Sequence, residues 1–308
     1  MKVTVLAGGV GAARFLEGVI QVVPQEDVTV ISNTGDDEEF FGLRVSPDID
    51  IVIYTLAGAI DADKGWGLKG ETFHALDALR RFRYETWFKL GDGDMATCAH
   101  RTQMMRDGAT LSQATRSIAE AFGLRLTILP VSDQRISTLV DTDGGTLAFQ
   151  EYFVKHRTED EVRAVRFAGI EEALPAPGVI EAIRDADLVA IAPSNPVVSI
   201  GPLLAVRGVR KALRESEAQV VGVSPIIGGK TIKGPADRMM ASLGMSATAT
   251  GVAEAYHDFL EALVIDEEDG ELAPAVEATG VRCIVGQTIM RGLREKRALA
   301  EVVLGAVQ

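Results

Sequence analysis

The sequence predicts an α/β fold, a doubly wound and mostly parallel sheet with a smaller helical subdomain, and three observations carry that prediction. Residues 3–7 are an apolar run that ends in Gly8, Gly9, Val10 and Gly11. The run leads into Phe15, Val19, Ile20 and Val23 at helical spacing, which reads as strand, tight turn and helix. Residues 28–31 form a second strand, so the chain opens with a βαβ unit. Two later strand-length runs, 188–192 and 220–223, each break into a loop bearing Pro, Ser and Asn or Gly, as strands do at the ligand-binding edge of such sheets. Together they predict a Rossmann-like sheet over residues 1–65 and 124–308, with residues 66–123 as a helical insertion.

The elements follow in order. After the second strand, residues 32–37 are a polar exit loop, and Ser46 followed by Pro47 reads as an N-cap and first helical residue. In the insertion, Thr110 and Gln113 form a capping box ahead of an amphipathic helix. Residues 124–129 are a strand, and 137–140 and 146–149 are two more, joined through Asp143, Gly144 and Gly145 as a hairpin. Residues 291–307 close the chain as an amphipathic helix. No internal repeat or long linker occurs.

With 308 residues, of which 47% are hydrophobic and 24% charged, the composition is that of a globular protein rather than a disordered one. The longest apolar stretches are strand-length, and no basic region precedes the first strand, so a membrane span or signal peptide is not expected. Cys98 and Cys283 lack metal-ligand spacing, which fits a cytoplasmic protein without disulfides. A net charge of -13 argues against nucleic acid as a partner. It leaves room for small phosphate ligands, which a few backbone N–H groups and one cation can hold.

Four carboxylates crowd the second strand's exit: Asp36, Asp37, Asp48 and Asp50. Asp48 and Asp50 would complement a helix dipole in any case. Four such groups repel one another unless a cation is present, and magnesium takes one or two carboxylates together with water and phosphate oxygens. The glycine turn fits the dinucleotide fingerprint only in part, because Arg14 stands at the third glycine position, and the second strand ends in Asn33 rather than an acid. Both features weigh against a nicotinamide enzyme. Ser194 and Asn195 sit at a later strand end as an N-cap or a phosphate contact, with Lys230 at another. Residues 87–94 combine Trp87, Phe88 and Lys89 with Asp92 and Asp94, a set suited to a flat polar heterocycle or to a helix end packed in the core. The four histidines are scattered, and no nucleophile elbow or Walker sequence occurs.

In their order and spacing, MKVTVLAGGVGAARFLEGV, NTGDDEEFFGLRVSPDIDIVIYTLAG, GWGLKGETF, FKLGDGDMATCAHRTQMMRDG, LTILPVSD, FQEYFV, APSNPVVSIGP and SPIIGGKTIKGPAD resemble the 2-phospho-L-lactate transferases of coenzyme F-420 biosynthesis. The resemblance implies a homodimeric enzyme with magnesium as cofactor. It further implies that the ribityl hydroxyl of the deazaflavin alcohol Fo attacks the acid-bearing phosphate of a guanosine diphosphate-linked three-carbon acid and releases GMP. Phospholactate, phosphoenolpyruvate and phosphoglycerate all remain open as the acid. Carried onto this chain, Gly9, Gly11, Asn33, Thr34, Ser194, Asn195, Ser199 and Gly201 would cradle the guanosine diphosphate part. Asp37, Asp48 and Asp50 would place the metal, Asp48 and Asp50 would serve catalysis, and Asp50 and Lys89 would contact the deazaflavin. Ala12 and Ala13, and Glu38 and Glu39, depart from the family's pattern. The alternative is a regulator resembling the YvcK-type gluconeogenesis factors, which bind a nucleotide-sugar without catalysis; it should lack a heterocycle pocket at residues 87–94.

Overall fold

The computed structural model describes residues 1–232 and 234–306. In chain order the strands are β1 (Val3–Ala7), β2 (Val28–Ser32), β3 (Glu38–Phe40), β4 (Leu43–Val45), β5 (Thr127–Pro130), β6 (Ser137–Thr142) and β7 (Gly145–Ala148). They continue with β8 (Val162–Ala168), β9 (Leu188–Ile191), β10 (Gln219–Val223), β11 (Ile226–Ile227), β12 (Lys230–Thr231), β13 (Ala262–Asp266) and β14 (Arg282–Gly286). Seven of them form one sheet in the order β14-β13-β10-β9-β1-β2-β5, and every pairing in it is parallel. The chain runs outward from β1 to one edge, then returns to β9 on the other side of β1. The order therefore reverses between β1 and β9, and a crevice opens there at the strands' carboxyl ends.

Side-chain alternation explains why these strands read as unbroken apolar runs. Val3, Val5 and Ala7 enter one core, while Leu6, between them, enters the other; Val189 and Ile191 oppose Leu188 and Ala190 in the same way. A parallel sheet covered on both faces buries both sets, each Val, Leu or Ile side chain contributing roughly 1.5–3 kcal/mol. Helices α1 (Gly9–Val19) and α2 (Pro47–Leu56) cover one face. The short α3 (His74–Leu79) and the longer α4 (Asp92–Arg106) and α5 (Leu111–Ala121) follow, α5 packing on β5 and α4 on both α5 and β4. The opposite core is filled from α6 (Val179–Arg184), α7 (Ile200–Ala205), α8 (Val209–Glu215), α9 (Ala236–Ser242), α10 (Ala249–Tyr256) and α11 (Ala273–Glu277). The last helix, α12 (Leu293–Gly305), returns to pack along α1. Val307, the expected close of this helix region, lies outside the described residues.

Several local expectations hold. Thr110 accepts from the Gln113 backbone N–H at 3.2 Å while its own N–H donates to the Gln113 side chain at 2.9 Å, which is the capping box. Thr142 opposes Gly145 in the β6–β7 hairpin. Other features differ. The first helix starts at Gly9, inside the glycine turn rather than after it. Ser46 occupies the cap position of α2 without capping it, because its hydroxyl donates to Asp37 at 2.7 Å. Strand β8 pairs antiparallel with β6; its sequence, VRAVRFA, lacks a clean alternation and gave no strand signal. Among the described residues no helix is long and apolar enough to cross a membrane.

Two glycines fix the crevice. Gly9 takes a φ of +72°, and a Cβ on Gly11 would stand 2.2 Å from the Pro193 carbonyl oxygen, so only glycine lets α1 start against the loop after β9. Gly11→Ala is expected to cost about 1–3 kcal/mol, read as a lowered midpoint in denaturant unfolding. An unchanged midpoint would show that the approach is not tight.

Candidate active site

A cavity of about 840 Å³ occupies this crevice, within the size range of small-molecule sites. The glycine turn after β1 and the loop after β9, with Ser194, Asn195 and Ser199, form its floor. Asp36, Asp48 and Asp50 line it beside them, and Trp66, Phe88 and Lys89 form a side wall. Phe149 and Phe153, stacked with centroids 5.6 Å apart and planes 4° apart, lie on the wall as well.

Each sequence-predicted residue has a definite place. Gly9, Gly11, Asp48, Asp50, Lys89, Ser194, Asn195 and Ser199 line the cavity. Asn33 does not: it is fully buried beneath the wall, donating to Asp48 at 2.9 Å and to the Val198 carbonyl at 3.3 Å while accepting from the Gly35 N–H at 2.8 Å. Its amide supports Asp48 from beneath. Thr34 is likewise buried, and Gly201 packs against Phe167 inside α7. Asp37 stands behind Ser46, and its neighbour Asp36 lines the cavity instead. The Asn195 side-chain Oδ1 accepts from the Val197 N–H at 2.9 Å and the Val198 N–H at 3.4 Å, folding the loop back, while Ser199 rather than Asn195 precedes the first residue of α7. Trp87 packs edge-on to Phe40 and Phe88, so only Phe88 of that pair reaches the cavity.

Arg101 was not legible as a site residue, yet it organises the carboxylates. It is 0% exposed and donates to both oxygens of Asp50, 3.1 Å from Oδ2, as well as to the Arg44 carbonyl at 3.2 Å. Burial opposes its charge, but the Asp50 carboxylate outweighs this and raises its pKa. Tyr54 donates to Asp94 at 2.8 Å. Glu71, from the preceding loop, accepts from the Gly93 and Asp94 N–H groups at 3.0 and 2.7 Å, and so caps α4 where the N-terminal amides would otherwise be free.

One guanidinium does not neutralise the cluster. Burial lifts the Asp37 carboxyl to about 8 even though Ser46 donates to it, and lifts Asp48 to about 6 against hydrogen bonds from Asn33 and the Gly9 backbone. Burial and the nearby Asp50 lift Asp94 to about 7; burial and Asp48 push Asp36 well above the usual carboxylate range. One oxygen each of Asp36 and Asp37 is buried without a hydrogen-bond partner. Hard, crowded and unsatisfied oxygens of this kind suit a divalent cation. Asp37, Asp48 and Asp50 do not form a tight ligand triad. Among the described residues, the set of three whose ligand atoms lie within 4.8 Å of one another is Asp50, Asp94 and Cys98, and burial keeps the Cys98 thiol protonated. A cation here would draw on one or two carboxylates and complete its shell with water and substrate oxygens.

The sequence of residues 3–282 matches the family model described as 2-phospho-L-lactate transferase CofD. A phosphoenolpyruvate transferase of Streptomyces griseus is 44% identical, over 99% of this chain and 98% of its own. A 2-phospho-L-lactate transferase of Methanosarcina mazei is 37% identical over 98% and 99% of the two chains. In fold, the chain is similar to a solved protein of the UPF0052 family from Bacillus halodurans, with a TM-score of 0.65 and 18% identity over 99% of this chain and 100% of that one.

The carboxylates make stability fall with pH. Asp48, Asp94 and Asp37 hold protons in the folded chain up to about 6, 7 and 8, whereas in the unfolded chain they lose them near ~4. Folding is thus favoured by protonation, and the stability declines as pH rises through that window. Melting temperatures measured in a chelating buffer should drop between pH 5 and 8.5. A flat or rising profile would contradict the account.

Proposed function

This chain belongs to the 2-phospho-L-lactate transferase CofD family, and on that premise we propose that it joins a phosphorylated three-carbon acid to the deazaflavin alcohol Fo in coenzyme F-420 biosynthesis. The donor is the guanosine diphosphate-linked acid. The ribityl oxygen bonds to the acid-bearing phosphorus, the bond from that phosphorus to the bridging diphosphate oxygen breaks, and GMP leaves with the electron pair. The observation that carries the reading is the meeting, in one cavity, of the Gly9 and Gly11 turn, the carboxylate cluster and an aromatic wall. Backbone N–H groups at a helix start hold phosphate, and flat side chains hold a flat ring.

Such a transfer depends on placing two substrates in line and balancing phosphate charge rather than on a covalent nucleophile. The Gly9 and Gly11 turn with Ser194, Asn195 and Ser199 would take the donor's diphosphate. Trp66, Phe88 and Lys89 would take the acceptor. Asp48 and Asp50, with Asp36 beside them, would hold magnesium, which when bound supplies positive charge to the phosphate oxygens. Because Arg101 already engages both Asp50 oxygens, Asp50 orients the attacking hydroxyl more readily than it takes its proton. Asp94, whose carboxyl lies within 4.8 Å of that of Asp50, is placed to accept it. The greater identity to phosphoenolpyruvate transferases than to phospholactate transferases supports phosphoenolpyruvate as the acid. Transferases matching over the whole chain weigh against a regulator that only binds a nucleotide-sugar.

Turnover should require magnesium and stop in EDTA. Asp50→Asn should lower kcat by about 10²-fold or more, the scale of losing one oriented polar group at a reacting centre, with GDP affinity kept. Full turnover by that variant would remove Asp50 from the reaction.

A further inference from the structure

Gln150 opens its carboxamide to the cavity. The residue is 7% exposed and lines the cavity, and among the described residues no protein group hydrogen-bonds to its carboxamide. A carboxamide that faces a binding cavity and is paired by no protein group is open to a ligand that completes it.

The backbone presents this side chain deliberately. Phe149 and Phe153, and Gln150 and Val154, are two adjacent i, i+4 rows, and all four line the cavity, while Tyr152 turns into the core. The helix is widened here: the His156 N–H donates to the Glu151 carbonyl, five residues back, at 2.9 Å, a π-turn of the kind found at functional sites. Arg157 and Thr158 follow with φ values of 53° and 59°. Arg238 of α9 pins them, donating to the Thr158 carbonyl at 3.0 Å and to its hydroxyl. On the other side, Lys155 pairs with Glu85 at 3.1 Å and lies 5.9 Å from the Trp87 ring centre. The segment is therefore tied to the aromatic wall that includes Phe88, and Phe153 beside Gln150 keeps 38% of its surface exposed.

We infer that the Gln150 carboxamide reads the lactam edge, an adjacent N–H and C=O, of the flat heterocycle in the acceptor substrate, whose ring lies against Phe153. The inference rests on the proposed reading of this wall as the acceptor's. A carboxamide offers one acceptor oxygen and two N–H donors, so it pairs with both groups of a lactam at once. Neither a hydrocarbon nor a carboxylate can do so. A wall with this demand discriminates strongly against rings that lack the edge, since the amide would stay unpaired. Guanine carries a lactam too, but the tie to Glu85 and Trp87 places Gln150 with the acceptor.

The test compares wild-type protein with Gln150→Met and Gln150→Glu. Binding of the deazaflavin alcohol is followed by its fluorescence in the presence of magnesium, and binding of GDP by calorimetry. Both variants should weaken the deazaflavin alcohol by about 10-fold or more and keep GDP affinity within about two-fold. Without ligand, Gln150→Met should melt no lower than wild type, because no protein group pairs with the amide it removes; a structural glutamine would show a fall. Unchanged affinity for the deazaflavin alcohol in Gln150→Met, or a loss confined to GDP, overturns the assignment while leaving the functional reading intact. Wild-type protein that binds GDP but no deazaflavin alcohol overturns both.

Discussion

Everything at the crevice depends on the buried pairing of Arg101 with Asp50. Arg101 belongs to α4 and Asp50 to α2, and their contact brings the helical excursion onto the carboxyl edge of the sheet. Taking both charges out of water is costly, and what offsets the cost is a two-pronged geometry that uses both carboxylate oxygens together with the Arg44 carbonyl. With α4 held in this way, Tyr54 reaches Asp94 and the Phe88 ring closes one side of the cavity. Asp36, Asp37 and Asp48 remain uncompensated, and their raised pKa values record it. The folded chain thus keeps a crowd of buried carboxyl groups, reluctant to ionise without a cation, beside a helix start whose amides favour phosphate.

Much of the fold was legible because its signals are local. Continuous apolar runs bounded by Gly, Pro and Asn mark strands buried on both faces, and the opening glycine turn fixes where the sheet begins. The capping box at Thr110 and the hairpin at Gly144 follow from chemistry contained within four residues. Strand β8 was not legible, because its partner β6 is distant in sequence and its own pattern mixes Arg with Ala and Val on both faces. Ser46 misled for a related reason: the side chain that fits an N-cap found a stronger acceptor in Asp37.

The site was legible in its residue types and less so in their roles. Acidic crowding at residues 36–50 announced itself by spacing. That Asn33 supports Asp48 from beneath, that Asp36 rather than Asp37 faces the cavity, and that Arg101 is fully buried all depend on tertiary packing, which no periodicity in α4 reveals. Gln150 and Phe153 lie in a stretch quoted for its family resemblance, but their direction follows from a π-turn that the sequence does not spell out. The similarity to the UPF0052 protein at 18% identity speaks for the fold alone, and fold by itself does not settle chemistry. Under the proposed function, the acceptor is held by the second wall of the cavity, built from Trp66, Phe88, Lys89 and the π-turn.

The most direct measurement of the central claim is the product balance of a single reaction. Purified protein would be given magnesium, the deazaflavin alcohol and the guanosine diphosphate-linked phosphoenolpyruvate donor, and the products quantified by chromatography and mass. The account predicts one GMP released for each phosphodiester formed between the acid's phosphate and the ribityl hydroxyl. GMP appearing without that phosphodiester, or no turnover with either the phosphoenolpyruvate or the phospholactate donor, would contradict it.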